Sequence, residues 1–142
     1  MGRDGSGQRK LTTPGSASDG DPAWSADDAA LYFTRWVAKT ESSSIFSIRT
    51  NGTGLHRLAT ATPGDWGGCI GSPSASPDGR LVAFTDYGDC AHGISSVSAM
   101  TTAGRPVGLP FAFPETTIDY SPAWAPDGRR LVYAVQVLDQ GG

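Results

Sequence analysis

Three stretches of the chain repeat one another, and that repetition limits the possible folds more than any other feature. "DPAWSADDAALYFTR" begins at Asp21, "SPSASPDGRLVAFTD" at Ser72 and "SPAWAPDGRRLVYAV" at Ser121. Their prolines, Pro22, Pro73 and Pro122, stand 51 and 49 residues apart. A period of about 50 residues belongs to units that cannot shelter their apolar faces alone and do so by stacking, as in propellers and solenoids.

Each copy divides into four short strands. In the third copy "PAWA" (122–125) is the first strand and "RLVYAV" (130–135) the second, joined by Pro126, Asp127 and Gly128. Proline presets φ, aspartate bonds its own downstream backbone, and glycine accepts positive φ. The middle copy repeats this turn with Pro77, Asp78 and Gly79. The first copy has Ala26, Asp27, Asp28 and Ala29, with an aspartate where glycine is easier, so its hairpin is expected to be the least regular. "SIFSIRT" (44–50) and "ISSVSAM" (94–100) alternate apolar and polar residues as third strands. Turn residues Asn51–Gly54 and Ala103-Gly104 follow, and "LHRLAT" (55–60) is a fourth strand. "DGSGQRKLT" (4–12) matches the same turn and strand.

The chain thus divides into a tail of one unit (1–12), two complete units (13–60 and 61–109) and the first half of another (110–142). The second strands, "LYF" (31–33), "LVAF" (81–84) and "LVY" (131–133), are apolar on both faces, as expected for sheets packed on both sides. The expected fold is all-β: a β-propeller of four-stranded antiparallel blades, about two complete, with half-blades at each end. Trp24 and Trp124 stand at matching positions and are expected to pack between blades, where the middle blade has Ala75 or Ser76.

The segments "SPAWAPDGRRLVY", "SPSASPDGRLVAF", "DPAWSADDAALYF" and "RDGSGQRKLT" resemble the repeat of the C-terminal propeller of TolB proteins, over nearly the whole chain. The resemblance is specific for the fold. Similar blades also occur in the non-catalytic propeller of prolyl-oligopeptidase-like enzymes and in secreted proteins, so function has to come from a site. The resemblance implies a six-bladed ring of which this chain makes about half. It also implies a non-catalytic module working through protein or peptide contacts in the periplasm, or otherwise outside the cytoplasm. The alternative is part of the gating propeller of a serine peptidase whose catalytic domain lies elsewhere. Sequence beyond Gly142 would discriminate, by showing more blades or a G-x-S-x-G elbow. A third arrangement joins two copies through their open strand edges, which invite self-association.

Composition narrows the partners. A net charge of −3 with 18% charged residues argues against nucleic acid or anionic lipid. No run of 18 apolar residues exists to insert in a membrane. "MGRDGSGQRK" lacks the apolar core of a signal peptide. "MGRDGS" fits a myristoylation pattern, but Met1 precedes Gly5 as Met100 precedes Gly104, which makes it a mid-repeat residue.

No catalytic constellation stands out, and the chain is expected not to be an enzyme and to need no cofactor. There is no G-x-S-x-G, no HExxH and no C-x-x-C, and "GTGLHR" lacks the ending of a phosphate loop. His56 falls on an outer strand and His92 in a loop. Cys69 enters the first strand of the middle blade and Cys90 leaves its second strand, so both fall at one edge. A disulfide closing a loop of about 20 residues adds roughly 3 kcal/mol and points to an oxidising compartment. A zinc site from Cys69, Cys90 and His92 lacks a fourth ligand, and free thiols remain the other option; the disulfide is preferred and no metal is expected.

Asp19 and Asp119 each fall three residues before a blade proline, where the middle blade has Ile70. In a propeller these positions lie near the channel mouth, on the face shared with the cysteines. There they could receive a cationic ligand or peptide amine, or cap the loop by accepting backbone hydrogen bonds. Trp66 and Tyr87 are candidate aromatic anchors on that rim, which Asp86 and Asp89 would make acidic. Asn51-Gly52-Thr53 fits a glycosylation sequon, yet Asn-Gly as a hairpin turn explains it fully.

Overall fold

A computed structural model describes residues 3–61, 68–88, 90, 95–109 and 117–137. Turn chemistry at regular intervals cuts the apolar runs into the ten strands found among the described residues. β1 (Ala17–Trp24), β2 (Ala30–Val37), β3 (Ser42–Arg49) and β4 (His56–Thr60) form one antiparallel sheet in that order. β5 (Ile70–Ala75), β6 (Leu81–Asp86), β7 (Ser96–Thr101) and β8 (Pro106–Val107) form a second. β9 (Thr117–Trp124) pairs with β10 (Leu131–Val137). A single 3-10 turn, Ala38–Thr40, is the helical part of the described residues.

The sheets stand side by side as propeller blades. β5 packs across β1, β2 and β3, and β9 packs in the same way across β5, β6 and β7. The first strand of each sheet therefore meets the first strand of the next, which gives the stack its radial order. Between the first two blades lies the core: Tyr32, Ile45, Ala61, Ile70, Val82, Phe84 and Met100, with Leu58, Ala59 and Ala75 against it. β6 is buried at four consecutive residues because it has a neighbour on both faces, as its unbroken apolar run requires.

Every first strand has the same kink. Asp21, Ser72 and Ser121, each just before the blade proline, adopt φ of 48°, 50° and 54°. The register against the second strand shifts there, between Gly20 and Ala23, between Gly71 and Ser74, and between Val132 and Ala134. Two residues thus face one, a bulge whose first member is left-handed and whose second is a proline that has no N–H to lose. The strain is of the order of 1 kcal/mol per bulge. The bulge carries the strand past the proline, so β1 and β9 begin at Ala17 and Thr117, five residues upstream of Pro22 and Pro122.

The hairpin turns correct one expectation. The first is no less regular than the others. Asp28 takes φ 57°, matching Gly79 at 70° and Gly128 at 67°. Asp27 Oδ1 accepts from Ser25 Oγ and from the Ala29 N–H, as Asp78 Oδ1 accepts from Ser76 Oγ and the Arg80 N–H. Ser25 and Ser76 also accept from the Ala30 and Leu81 N–H groups, at 2.9 Å each. Serine and aspartate together fix the turn, so Asp28 is carried into the left-handed region. In the third turn Ala125 stands in the serine's place, and the Asp127–Arg129 bond remains alone of that set.

The two tryptophans divide. Trp124 lies against the second blade, its backbone N–H donating to Ser74 Oγ at 3.2 Å while its indole Nε1 is buried without a hydrogen-bond partner among the described residues. Trp24 is 59% exposed and lines a cleft with Leu11, Leu31 and Arg9, where residues 3–12 run past the first blade without forming a strand. Leu11 O approaches Gly52 as Leu58 O approaches Gly104, and at Gly104 no side chain would fit against that carbonyl.

Candidate functional site

At the disulfide edge, groups from two blades come together in a cleft. Cys69 and Cys90 are bonded, with Cα atoms 5.2 Å apart. The β5–β6 ladder runs on past its strands to place them: the Tyr87 N–H donates to Cys69 O, and the Cys69 N–H donates to Gly88 O. Asp86 Oδ1 accepts from the Gly88 N–H at 3.0 Å and turns the chain toward Cys90. Cys90 Sγ comes within 3.1 Å of Glu41 O, so the bridge leans on the first blade. With both sulfurs in the bond, the zinc and free-thiol alternatives for this pair are overturned. Among the described residues no group of three or more His, Cys, Asp or Glu is placed to hold a metal.

Between the first two blades this edge opens into a cavity of about 280 Å³. Asp21, Thr34 and Trp36 come from the first blade, and Gly71, Tyr87 and the disulfide from the second. Asp21 is exposed, and its Oδ2 accepts from the Ser72 N–H at 3.3 Å, which fixes the carboxylate at the seam. Thr34 Oγ1 is buried without a hydrogen-bond partner beside Gly71. Ser43 closes the floor: its hydroxyl donates to Ile70 O at 2.6 Å and accepts from the Ile70 N–H at 2.8 Å.

Of the residues named from sequence, Tyr87 lines this cavity and Asp86 shapes its edge. Trp66, Asp89 and His92 lie outside the described residues. Asp19 and Asp119 are strand residues rather than loop residues, because the bulge extends the first strand past them. Asp19 forms a bidentate pair with Arg35, 2.6 and 2.7 Å, and accepts from Thr12 Oγ1 at 2.6 Å. Those partners, Arg35 first, hold its carboxyl below the usual carboxylate range against the opposing effect of burial. Arg35 in turn lies over the Phe33 and Phe46 rings, 5.6 and 4.9 Å from their centroids. Asp119 is 1% exposed and sits in the second seam, its N–H donating to Ser95 O and its carbonyl accepting from Ser95 Oγ.

Sequence reasoning missed Asp21, Thr34, Trp36 and Ser43. The signal was available in the repeat. Trp36 stands 51 residues before Tyr87, and Ser43 stands 52 before Ser95, so each occupies its partner's place in a neighbouring blade.

No protein-family model matches the chain, and no curated protein matches it. Solved structures do. A candidate TolB from Agrobacterium tumefaciens superposes with a TM-score of 0.69 at 24% identity, over 97% of this chain and 49% of that one. TolB from Acinetobacter baumannii gives 0.56 at 13% identity, over 98% and 45%. An oligogalacturonate lyase in complex with manganese gives 0.53 at 14% identity, over 96% and 40%. The chain spans half or less of the length of each. Over nearly all of its residues, then, this chain has the blade-after-blade fold of the TolB propellers.

Proposed function

We propose that the chain is a non-catalytic binding module working outside the cytoplasm, which holds a protein or peptide partner through a cationic side chain or amino terminus seated in the cleft between its first two blades. The observation behind this reading is that Asp21, Trp36 and Tyr87 line one cavity of about 280 Å³. A carboxylate beside aromatic faces favours a cation, by charge and by the ring quadrupole. The acidic chain adds a weak attraction of the same sign.

The disulfide supports an oxidising compartment, since such bonds are rare where cytosolic reductants act. The fold alone does not decide about catalysis, because a lyase shares it. Support for a non-catalytic role comes from the sequence, which offers no nucleophile elbow, zinc motif or phosphate loop.

Calorimetric titration with tri-lysine tests the reading. Binding is expected to weaken about tenfold in Asp21→Asn and in Trp36→Ala, a loss of roughly 1.4 kcal/mol each. The Asn variant keeps an oxygen for the Ser72 N–H, so the seam survives. Absence of millimolar binding, or binding by either variant as tight as by the unaltered chain, overturns the proposal.

A further inference from the structure

Thr34 Oγ1 is buried without a hydrogen-bond partner, and the second seam shows what a threonine at that place can do. Thr34 lies opposite Gly20 in the β1–β2 ladder, and Thr85 lies opposite Gly71 in the β5–β6 ladder, so the two threonines are equivalent. At the second seam the Ser121 N–H donates to Thr85 Oγ1 at 3.0 Å. At the first seam the equivalent N–H, of Ser72, donates instead to Asp21 Oδ2, and at 3.3 Å that bond is long.

The residue before the earlier blade's proline decides between the two arrangements. Asp21 extends its carboxylate across the first seam. Ser72 has that place at the second seam, and there the amide goes to the threonine. Gly71 brings both acceptors to one peptide: a Cβ on it would lie 3.2 Å from Thr34 Oγ1 and 3.3 Å from Asp21 Oδ2. The Gly71–Ser72 peptide thus carries one donor beside two acceptors, of which one is in use.

We infer that Thr34 is a positioning residue of the cleft, which takes over the Ser72 N–H when the Asp21 carboxylate turns to a cationic ligand. This role rests on the reading of the cleft as a cation site and adds how the carboxylate is released. A hydrogen bond to a charged donor is about twice as strong as one to a neutral amide, so an ammonium outcompetes the Ser72 N–H for Asp21. Turning away would orphan that N–H, and its cost would count against the ligand. The Thr34 hydroxyl removes the cost and leaves the first seam in the arrangement that the second already has. A buried hydroxyl with no partner is unfavourable in the free chain, and the bound state gives it one.

The test begins without ligand. Asp21→Ser gives the first seam the residue type of the second, and serines at that place, Ser72 and Ser121, adopt φ of 50° and 54°, so the bulge is kept. Amide exchange at Ser72 in this variant is expected to stay within about twofold of the unaltered 142-residue chain. With Thr34→Val added it is expected to rise at least about fivefold, while Thr34→Val alone changes it little. Titration with tri-lysine follows. Thr34→Val is expected to weaken binding about fivefold, and Thr34→Ser, which keeps the hydroxyl, to leave it unchanged. Equal exchange at Ser72 in Asp21→Ser with and without Thr34→Val overturns the role of Thr34. So does tri-lysine binding by Thr34→Val as tight as by the unaltered chain, or an equal loss in Thr34→Ser. Failure of the unaltered chain to bind tri-lysine overturns the cleft reading instead, and exchange at Ser72 still decides whether Thr34 is the reserve acceptor.

Discussion

The two seams between blades do the same work with different atoms. At both, the N–H of the left-handed bulge residue leaves its own sheet and points to the blade before it. At the second seam the Ser121 N–H finds Thr85 Oγ1 at 3.0 Å. At the first, Thr34 occupies the place of Thr85, yet the Ser72 N–H goes to Asp21 Oδ2 and leaves Thr34 Oγ1 without a partner. The serine that returns the favour also differs. Ser43 makes two bonds to Ile70, donating and accepting, whereas Ser95 Oγ donates to Asp119 O. Backbone geometry is the constant of the seam, and the side chain that receives it is interchangeable. That freedom is what lets the first seam keep a carboxylate and open a cleft.

The largest expected effect separates the seams outright. The disulfide leans on the first blade, and replacing both cysteines together, Cys69→Ser with Cys90→Ser, is expected to cost about 3 kcal/mol relative to the unaltered chain by the chain-entropy model. Amide exchange should then rise around the first seam and leave the second unchanged; a uniform rise would erase the distinction.

Next come the serines. Ser43→Ala leaves both the N–H and the carbonyl of buried Ile70 unpaired and is expected to cost about 2–3 kcal/mol in urea unfolding, against about 1 kcal/mol for Ser95→Ala. Equal losses would show that the second bond of Ser43 is idle.

The half-buried Asp19–Arg35 pair distinguishes the blades themselves, since Ile70 faces Asp86 at the same repeat position. Arg35→Met is expected to cost about 2 kcal/mol at neutral pH, between the values for exposed and buried pairs. The folded carboxyl titrates below 3.8, so its contribution is present in full above that pH and is lost as pH falls through the lowered value. Wild type and variant should therefore converge only once pH has fallen below the lowered folded value. A difference that persists in acid would assign the effect to the arginine's packing on Phe33 and Phe46.

The smallest effect is the most specific. Thr85→Val removes the acceptor of the part-buried Ser121 N–H and is expected to cost about 1 kcal/mol, whereas Thr34→Val discards a hydroxyl that bonds nothing and is expected to be neutral or slightly stabilising. A reversed order would mean that Thr34 serves the seam in solution.

Much of this was legible in one copy of the repeat read against another. The spacing of Pro22, Pro73 and Pro122 announced blades, and the positions of Cys69 and Cys90 at the ends of one hairpin announced their bond. The bulge was not legible, because a residue before proline is ordinarily extended and neither Asp21 nor Ser72 advertises positive φ. Asp19 and Asp119 were misplaced into loops for that reason. Asp28 was underestimated because the fixing residue, Ser25, sits outside the turn it controls. Trp36 escaped notice because its significance lies 51 residues away, in Tyr87.

The paired donations at each seam give the molecule a direction. At each of the two seams the later sheet sends an amide backward and the earlier one sends a hydroxyl forward, so these neighbours meet as plug and socket and never as mirror images. Two sheets placed with their amide sides together would instead find donor facing donor.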